Sequence, residues 1–244
     1  MGACIALQTG VSYPDKVLSL FLVSPLPLQE PQEVREGRQE IFDCWAEGWR
    51  NYPDVDESAF MDALLGLSQL GYNNVRTTLS DVLNEYSLPR AMRNFNRDRL
   101  EEFHTASVKF FVDRVPHSLE KLSRVKCPVQ LVQCGGDIAY PISFAQELLQ
   151  RLLDAGVDAE LDVIEDAPHF GTVTHYEDIN PLLHNFIISH TIDVVPPAPK
   201  VVTSPFEAYL VSLGWTPGTD ETDIDDEYTY DFAAALPWAY PPPS

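Results

Sequence analysis

The spacing of apolar residues changes several times along this chain, and each change predicts a different kind of element. Residues 2–13 are apolar and helical in character, ending at Tyr13-Pro14-Asp15. Residues 17–23, opening at Val17 and closing at Val23, form an almost unbroken apolar run stopped by Ser24-Pro25, which predicts a fully buried strand. From about Pro31 to Arg124 the pattern is helical, with no strand signal. Candidate helices cover 34–50, which carries Trp45 and Trp49 one turn apart, then 58–70, 79–95 and 98–113. Pro89 is expected to split 79–95 into two helices. A β-rich run at 129–133 comes next, bounded by Pro128 and Gly135. Residues 142–155 then predict a helix with Phe144, Leu148 and Leu152 on one face and Gly156 as its stop. Residues 159–164 alternate apolar and acidic side chains, as a strand does. The last helix is expected to open with Asn180 as cap and Pro181 at its first position, and to bury Leu182, Leu183, Phe186 and Ile187.

This order predicts an α/β fold with a parallel sheet, and it also locates the chemistry. Gly135-Gly136-Asp137 closes one predicted strand, and Ala167-Pro168-His169-Phe170-Gly171 lies just past the next. A strand–helix–strand unit brings both loops to the same carboxyl edge of a sheet, where open α/β folds place their sites. Taken singly, Asp137 reads equally well as a turn residue capping the next helix, and His169 as a structural histidine. At matching ends of neighbouring strands they read together as a base and the carboxylate that orients it. Such a carboxylate fixes the imidazole tautomer and stabilises its protonated form. The other histidines, at 104, 117, 175, 184 and 190, have no metal-ligand companion at helical spacing.

Charge then narrows the partners. The chain carries 37 acidic and 16 basic residues in 244, a formal charge of −21, which argues against nucleic acid and anionic membrane surfaces. No apolar run has the roughly 20 residues of a membrane span, and no signal peptide is evident. Cys4, Cys44, Cys127 and Cys134 lack metal or CxxC spacing and read as buried free thiols in a reducing compartment, so a cytoplasmic location is expected. There is no phosphate-binding loop, and no cofactor or metal is expected. Beyond His190 the sequence turns Pro-rich and acidic; residues 191–244 are expected to be largely disordered, with 206–211 as a helical turn or two.

At this point the motifs are recognisable. Cys127-Pro128-Val129, Gly135-Gly136-Asp137-Ile138-Ala139-Tyr140-Pro141 and Ala167-Pro168-His169-Phe170-Gly171 resemble the acid and histidine loops of the α/β-hydrolase family. Tyr13-Pro14-Asp15-Lys16-Val17 is similar to that family's passage out of the nucleophile helix. The resemblance covers residues 1 to 190. It implies a core made of 1–30 and 125–190, a helical cap at 31–124, and a tail at 191–244 outside the family pattern. It further implies Asp137 as triad acid, His169 as general base, and a small ester or acyl compound as substrate. Met1-Gly2-Ala3 resembles the second half of a Ser-Met-Gly-Ala elbow. The resemblance therefore expects the serine and its strand ahead of Met1, Met1 itself as an oxyanion N–H donor, an incomplete sheet, and impaired catalysis in the chain as given. An aspartate nucleophile of the epoxide-hydrolase kind, or a non-catalytic binding protein of the same fold, are the alternatives. The strand that opens at Val17 is also a candidate surface for self-association.

Overall fold

The structure, a computed structural model, describes residues 1–191 and 204–217. It divides into two compact units. Among the described residues, the first takes in 1–35, 70–73 and 111–191, and the second 36–69, 74–110 and 204–217.

The chain begins with α1 (Gly2–Ser12), β1 (Leu20–Val23), α2 (Gln32–Trp49), α3 (Glu57–Tyr72) and α4 (Thr78–Asn94). A 3₁₀ turn at Arg97–Arg99 leads into α5 (Leu100–His104), a π-helical turn at Thr105–Lys109, α6 (Phe110–Val112) and α7 (Leu119–Leu122). Then come β2 (Val129–Cys134), α8 (Ile142–Asp154), β3 (Ala159–Ile164), α9 (Gly171–Thr174), α10 (Tyr176–Ser189) and α11 (Glu207–Ser212).

The first unit is a parallel sheet in the order β1-β2-β3 with helices on both faces. Side-chain alternation explains the layering. Leu20, Leu22, Val129, Leu131 and Ala159 point to one face, where they pack with Leu7 and Val11 of α1 and Leu148 and Leu152 of α8. Val132 and Cys134 point to the other, joined by Phe21, Val23 and Ile164, and meet Ile179 and Leu182 of α10. Strand β2 is buried at every position, its two glutamines included, whereas β3 alternates apolar with acidic residues and is only partly covered. Among the described residues β1 pairs with β2 alone, so its outer edge carries no strand.

The second unit packs α2, α3, α4 and α5 around aromatic residues. Trp45 and Trp49 both meet the Phe60 ring edge-on, at 5.0 and 5.1 Å between centroids. Gly48 is required there, because a Cβ would come within 2.6 Å of that ring. In the same unit Tyr209 of α11 stacks edge-on against Tyr86 of α4 at 5.0 Å, and the Arg90 guanidinium lies 3.6 Å over the Tyr86 ring.

Several elements depart from the sequence expectation. The first strand starts at Leu20 instead of Val17, because the ladder begins where Leu20 N–H reaches the Pro128 carbonyl at 2.9 Å; Leu18 before it is exposed. Pro89 does not divide α4, whose 17 residues run through it with Leu88 and Met92 buried on one side. Packing of that face outweighs the lost backbone hydrogen bond. Likewise α10 starts at Tyr176, carried on from α9 by Ile179 N–H to His175 O at 3.1 Å, and Pro181 sits inside it. On α8 the buried residue is Ala145, not Phe144. The segment expected as a helical turn or two at 206–211 is α11, while the expected disorder of the tail falls on 192–203 and 218–244, outside the described residues. No helix among the described residues is long and apolar enough to cross a membrane.

Adjacent leucines of α8 give a test. Leu152 is fully buried in the sheet core and Leu153 is 46% exposed. Leu152→Ala is expected to cost about 2–5 kcal/mol in urea denaturation and Leu153→Ala less than about 0.5 kcal/mol. Equal losses would show that α8 does not pack as described.

Candidate active site

Parallel register brings the two loops together. β2 and β3 pair from Val129↔Ala159 to Cys134↔Ile164, so both end at the same level. The pairing continues past the strands: Gly135 N–H donates to Ile164 O at 2.7 Å and Gly136 N–H to Ala167 O at 2.9 Å. Gly136 has to be glycine, since a Cβ would lie 2.6 Å from the Asp166 carbonyl oxygen. Asp166 is itself in the left-handed region, at φ 62°. The double glycine thus lets the acid turn lie flat against the histidine loop.

Asp137 and His169 meet there. His169 Nδ1–H donates to Asp137 Oδ2 at 2.7 Å. The other carboxylate oxygen, Oδ1, accepts from the backbone N–H groups of Ala139 and Tyr140 at 3.0 and 2.9 Å. Asp137 is buried and fully engaged as an acceptor, which suits an ionised carboxylate. With Nδ1 as the donor, the other ring nitrogen, Nε2, is left as the basic one. Among the described residues no side chain hydrogen-bonds Nε2.

Sequence reasoning missed the groups that hold this pair. Gln133, buried at the end of β2, donates to Tyr140 O at 2.8 Å and Cys134 O at 2.9 Å and so closes the acid loop. The Tyr140 ring lies 5.3 Å from the imidazole, and its hydroxyl donates to Glu30 Oε1 at 2.7 Å. Glu30 is buried and pairs with Arg114 at 3.4 Å, and Arg114 also donates to Pro27 O at 2.6 Å. Ser24 follows β1 at φ 45°, a left-handed conformation uncommon for serine, and its hydroxyl donates to the His169 carbonyl at 2.7 Å. The strained backbone is the one visible trace of that role. From the end of α3, Asn73 Nδ2 donates to Gly136 O at 2.7 Å and Gly71 O accepts from Phe170 N–H at 2.9 Å.

The remaining candidates are placed elsewhere. Met1 caps α1, its carbonyl accepting from Cys4 and Ile5 N–H at 3.0 and 3.2 Å. Ser24 has committed its proton to a backbone carbonyl, and Ser143 is exposed near the start of α8. Cys134 is fully buried beneath the histidine loop, with Ser24 Oγ 3.1 Å from its sulfur. Burial pushes its thiol above the ordinary value of 9.0, while the Ser24 contact pulls it down. It therefore stays protonated and unreactive at neutral pH. Asp162 accepts from Gln130 Nε2 at 2.9 Å and takes no part in the pair. Among the described residues no group of three or more His, Cys, Asp or Glu side chains could hold a metal ion.

No protein-family model matches the chain. It is 23% identical over 212 residues to a homoserine O-acetyltransferase of Geobacter metallireducens, covering 77% of this chain and 58% of that protein. The crystal structure of a homoserine O-acetyltransferase from Bacillus anthracis superposes with a TM-score of 0.56 at 16% identity, over 76% of this chain and 57% of that one. A serine hydrolase from Cycloclasticus zankles gives 0.53 at 18% identity, covering 79% and 63%. An α/β-hydrolase enzyme from a Medee basin deep-sea metagenome gives 0.52 at 15%, covering 79% and 64%. The chain thus spans less than two thirds of the length of each.

The raised thiol carries a prediction. A group whose folded value is raised stabilises fully below its unfolded value, and that contribution is lost as pH climbs from there through the folded value. Unfolding free energy is therefore expected to decline above pH 9.0, the ordinary thiol value, and less steeply in Cys134→Ala. In peptide mapping at pH 8, iodoacetamide should leave Cys134 unmodified until urea unfolds the chain; native alkylation there would contradict its placement.

Proposed function

On the premise of an α/β-hydrolase fold, in part, we propose that Asp137 and His169 are the acid and general base of a nucleophilic triad acting on a small ester or acyl compound. The observation that carries this reading is the 2.7 Å bond between a fully engaged carboxylate and His169 Nδ1, which directs the basic Nε2 away from the acid. A serine hydroxyl beside Nε2 would lose its proton to that nitrogen as its oxygen attacks the acyl carbon. The imidazolium, held by Asp137, would then pass the proton to the departing alkoxide. Water entering next would complete hydrolysis, and an acceptor hydroxyl would complete acyl transfer. The similarity to proteins described as homoserine O-acetyltransferases lends acyl transfer equal standing with hydrolysis.

The nucleophile is proposed to be a serine on the strand-to-helix elbow that the family resemblance places ahead of Met1, with the backbone N–H of residue 1 as one oxyanion donor. The helical unit is proposed to correspond to the cap of that family.

The test joins 1–244 to a preceding strand and Gly-x-Ser elbow and monitors p-nitrophenyl acetate hydrolysis. His169→Ala and Asp137→Asn are each expected to lower kcat by about 10⁴-fold, with circular dichroism unchanged. Unaltered kcat in His169→Ala would end the triad assignment. His169-dependent turnover by 1–244 alone would place the nucleophile inside this sequence.

A further inference from the structure

The two peptide bonds that adjoin the dyad are each pinned at both ends. The peptide before Asp137 has its carbonyl, Gly136 O, held by Asn73 Nδ2 at 2.7 Å, and its N–H held by Cys134 O at 3.2 Å. The peptide after His169 has its carbonyl held by the Ser24 hydroxyl at 2.7 Å, and its N–H, on Phe170, held by Gly71 O at 2.9 Å. Cys134 and Ser24 belong to strand ends of the sheet. The other two groups come from a single short segment more than 60 residues earlier in the chain, the last turn of α3. That segment, 70–73, is compact with the sheet although the rest of α3 belongs to the helical unit.

The fit of this turn is specific at each residue. A Cβ on Gly71 would stand 2.7 Å from Phe170 Cδ2, so only glycine lets the helix backbone reach the Phe170 N–H with the ring in place. Tyr72 is buried and meets the same ring edge-on at 5.5 Å between centroids. Asn73 stops the helix at φ 56°, a left-handed geometry that asparagine tolerates, and this turns its amide toward the acid loop. Among the described residues its Oδ1 is buried with no hydrogen-bond partner, and the Gly136 bond is what orients the amide.

We infer that Gly71 and Asn73 form a clamp that sets the distance between Asp137 and His169, making both positioning residues for the dyad. This rests on the reading of that dyad as acid and base. A base–acid pair needs its geometry held within about half an ångström, and among the described residues the backbone ladder between the two loops ends at Gly136 N–H to Ala167 O, short of both side chains. One rigid helical turn that grips both loops removes their freedom to slide apart. The hold on the dyad thus comes from the closing residues of a helix that belongs to neither loop.

The test reads the dyad without relying on turnover. In the full 1–244 chain, proton NMR should show a far-downfield resonance from the His169 Nδ1–H, assigned by its disappearance in His169→Gln. Asn73→Gly removes the amide donor while leaving a residue suited to the left-handed backbone, so it adds no strain. It is expected to broaden that resonance beyond detection while the melting temperature stays near that of the unaltered protein. Gly71→Ala should do the same by displacing Phe170; if it unfolds the chain, Asn73→Gly alone decides. Arg151→Ala serves as control. It removes the Arg151 bond to His117 O, 2.6 Å, at the end of α8 remote from the acid loop, and should keep the resonance. Retention of the downfield proton in Asn73→Gly overturns the clamp and leaves the dyad standing. Its absence from the unaltered protein overturns the dyad contact and the clamp together.

Discussion

Strands that run parallel and in register must also end in register, and the whole site depends on that constraint. β2 and β3 stay paired through Cys134↔Ile164, and the next two N–H groups of the acid turn continue the ladder onto the histidine loop. A shift of one residue would exchange the two buried faces of β2 and move Asp137 out of step with His169. The apolar layers on the two sheet faces hold that register, so core packing and site geometry are one structural fact. Packing of Leu131 between α1 and α8 and the 2.7 Å bond at the sheet edge stand or fall together.

Around the dyad, the groups that face the acid loop are hydrogen-bonded, although Asn73 Oδ1 nearby is not. Asp137 receives three donors, the Gln133 amide bridges two carbonyls, and Tyr140 presents its hydroxyl to Glu30. Buried polar atoms are tolerated when hydrogen-bonded, and such networks restrict a loop to one conformation. Preorganisation of this kind is what the proposed role would require, with Asp137 fixed beside an imidazole that takes up and returns a proton.

The strand–helix–strand order and the convergence of Asp137 with His169 were legible because they depend on periodicity and topology, which local sequence encodes. What escaped depends on approaches across long separations. Ser24 reads as a strand terminator, and nothing in Val23-Ser24-Pro25 discloses that its hydroxyl meets residue 169. Gly71-Tyr72-Asn73-Asn74 does carry a signal, a glycine and two asparagines ending an apolar helix, but that signal predicts only where the helix stops. Pro89 and Pro181 misled in the opposite sense, since a local rule was overruled by buried neighbours such as Leu88 and Met92 around α4 and Ile179 and Phe186 along α10.

The ion pair of Glu30 and Arg114 constrains how sequences of this type can diverge. The Glu30 side chain is wholly buried and the Arg114 side chain 13% exposed, and they link the loop after β1 to the segment before α7. Losing Glu30 takes from the Arg114 guanidinium its carboxylate partner, at a cost of about 3–5 kcal/mol, whereas replacing both with apolar groups of similar volume can be neutral. Loss of Glu30 alone is therefore disfavoured while Arg114 remains. Change at Glu30 is expected to go with change at Arg114, and a paired saturation library scored for folding would record that dependence as epistasis between them.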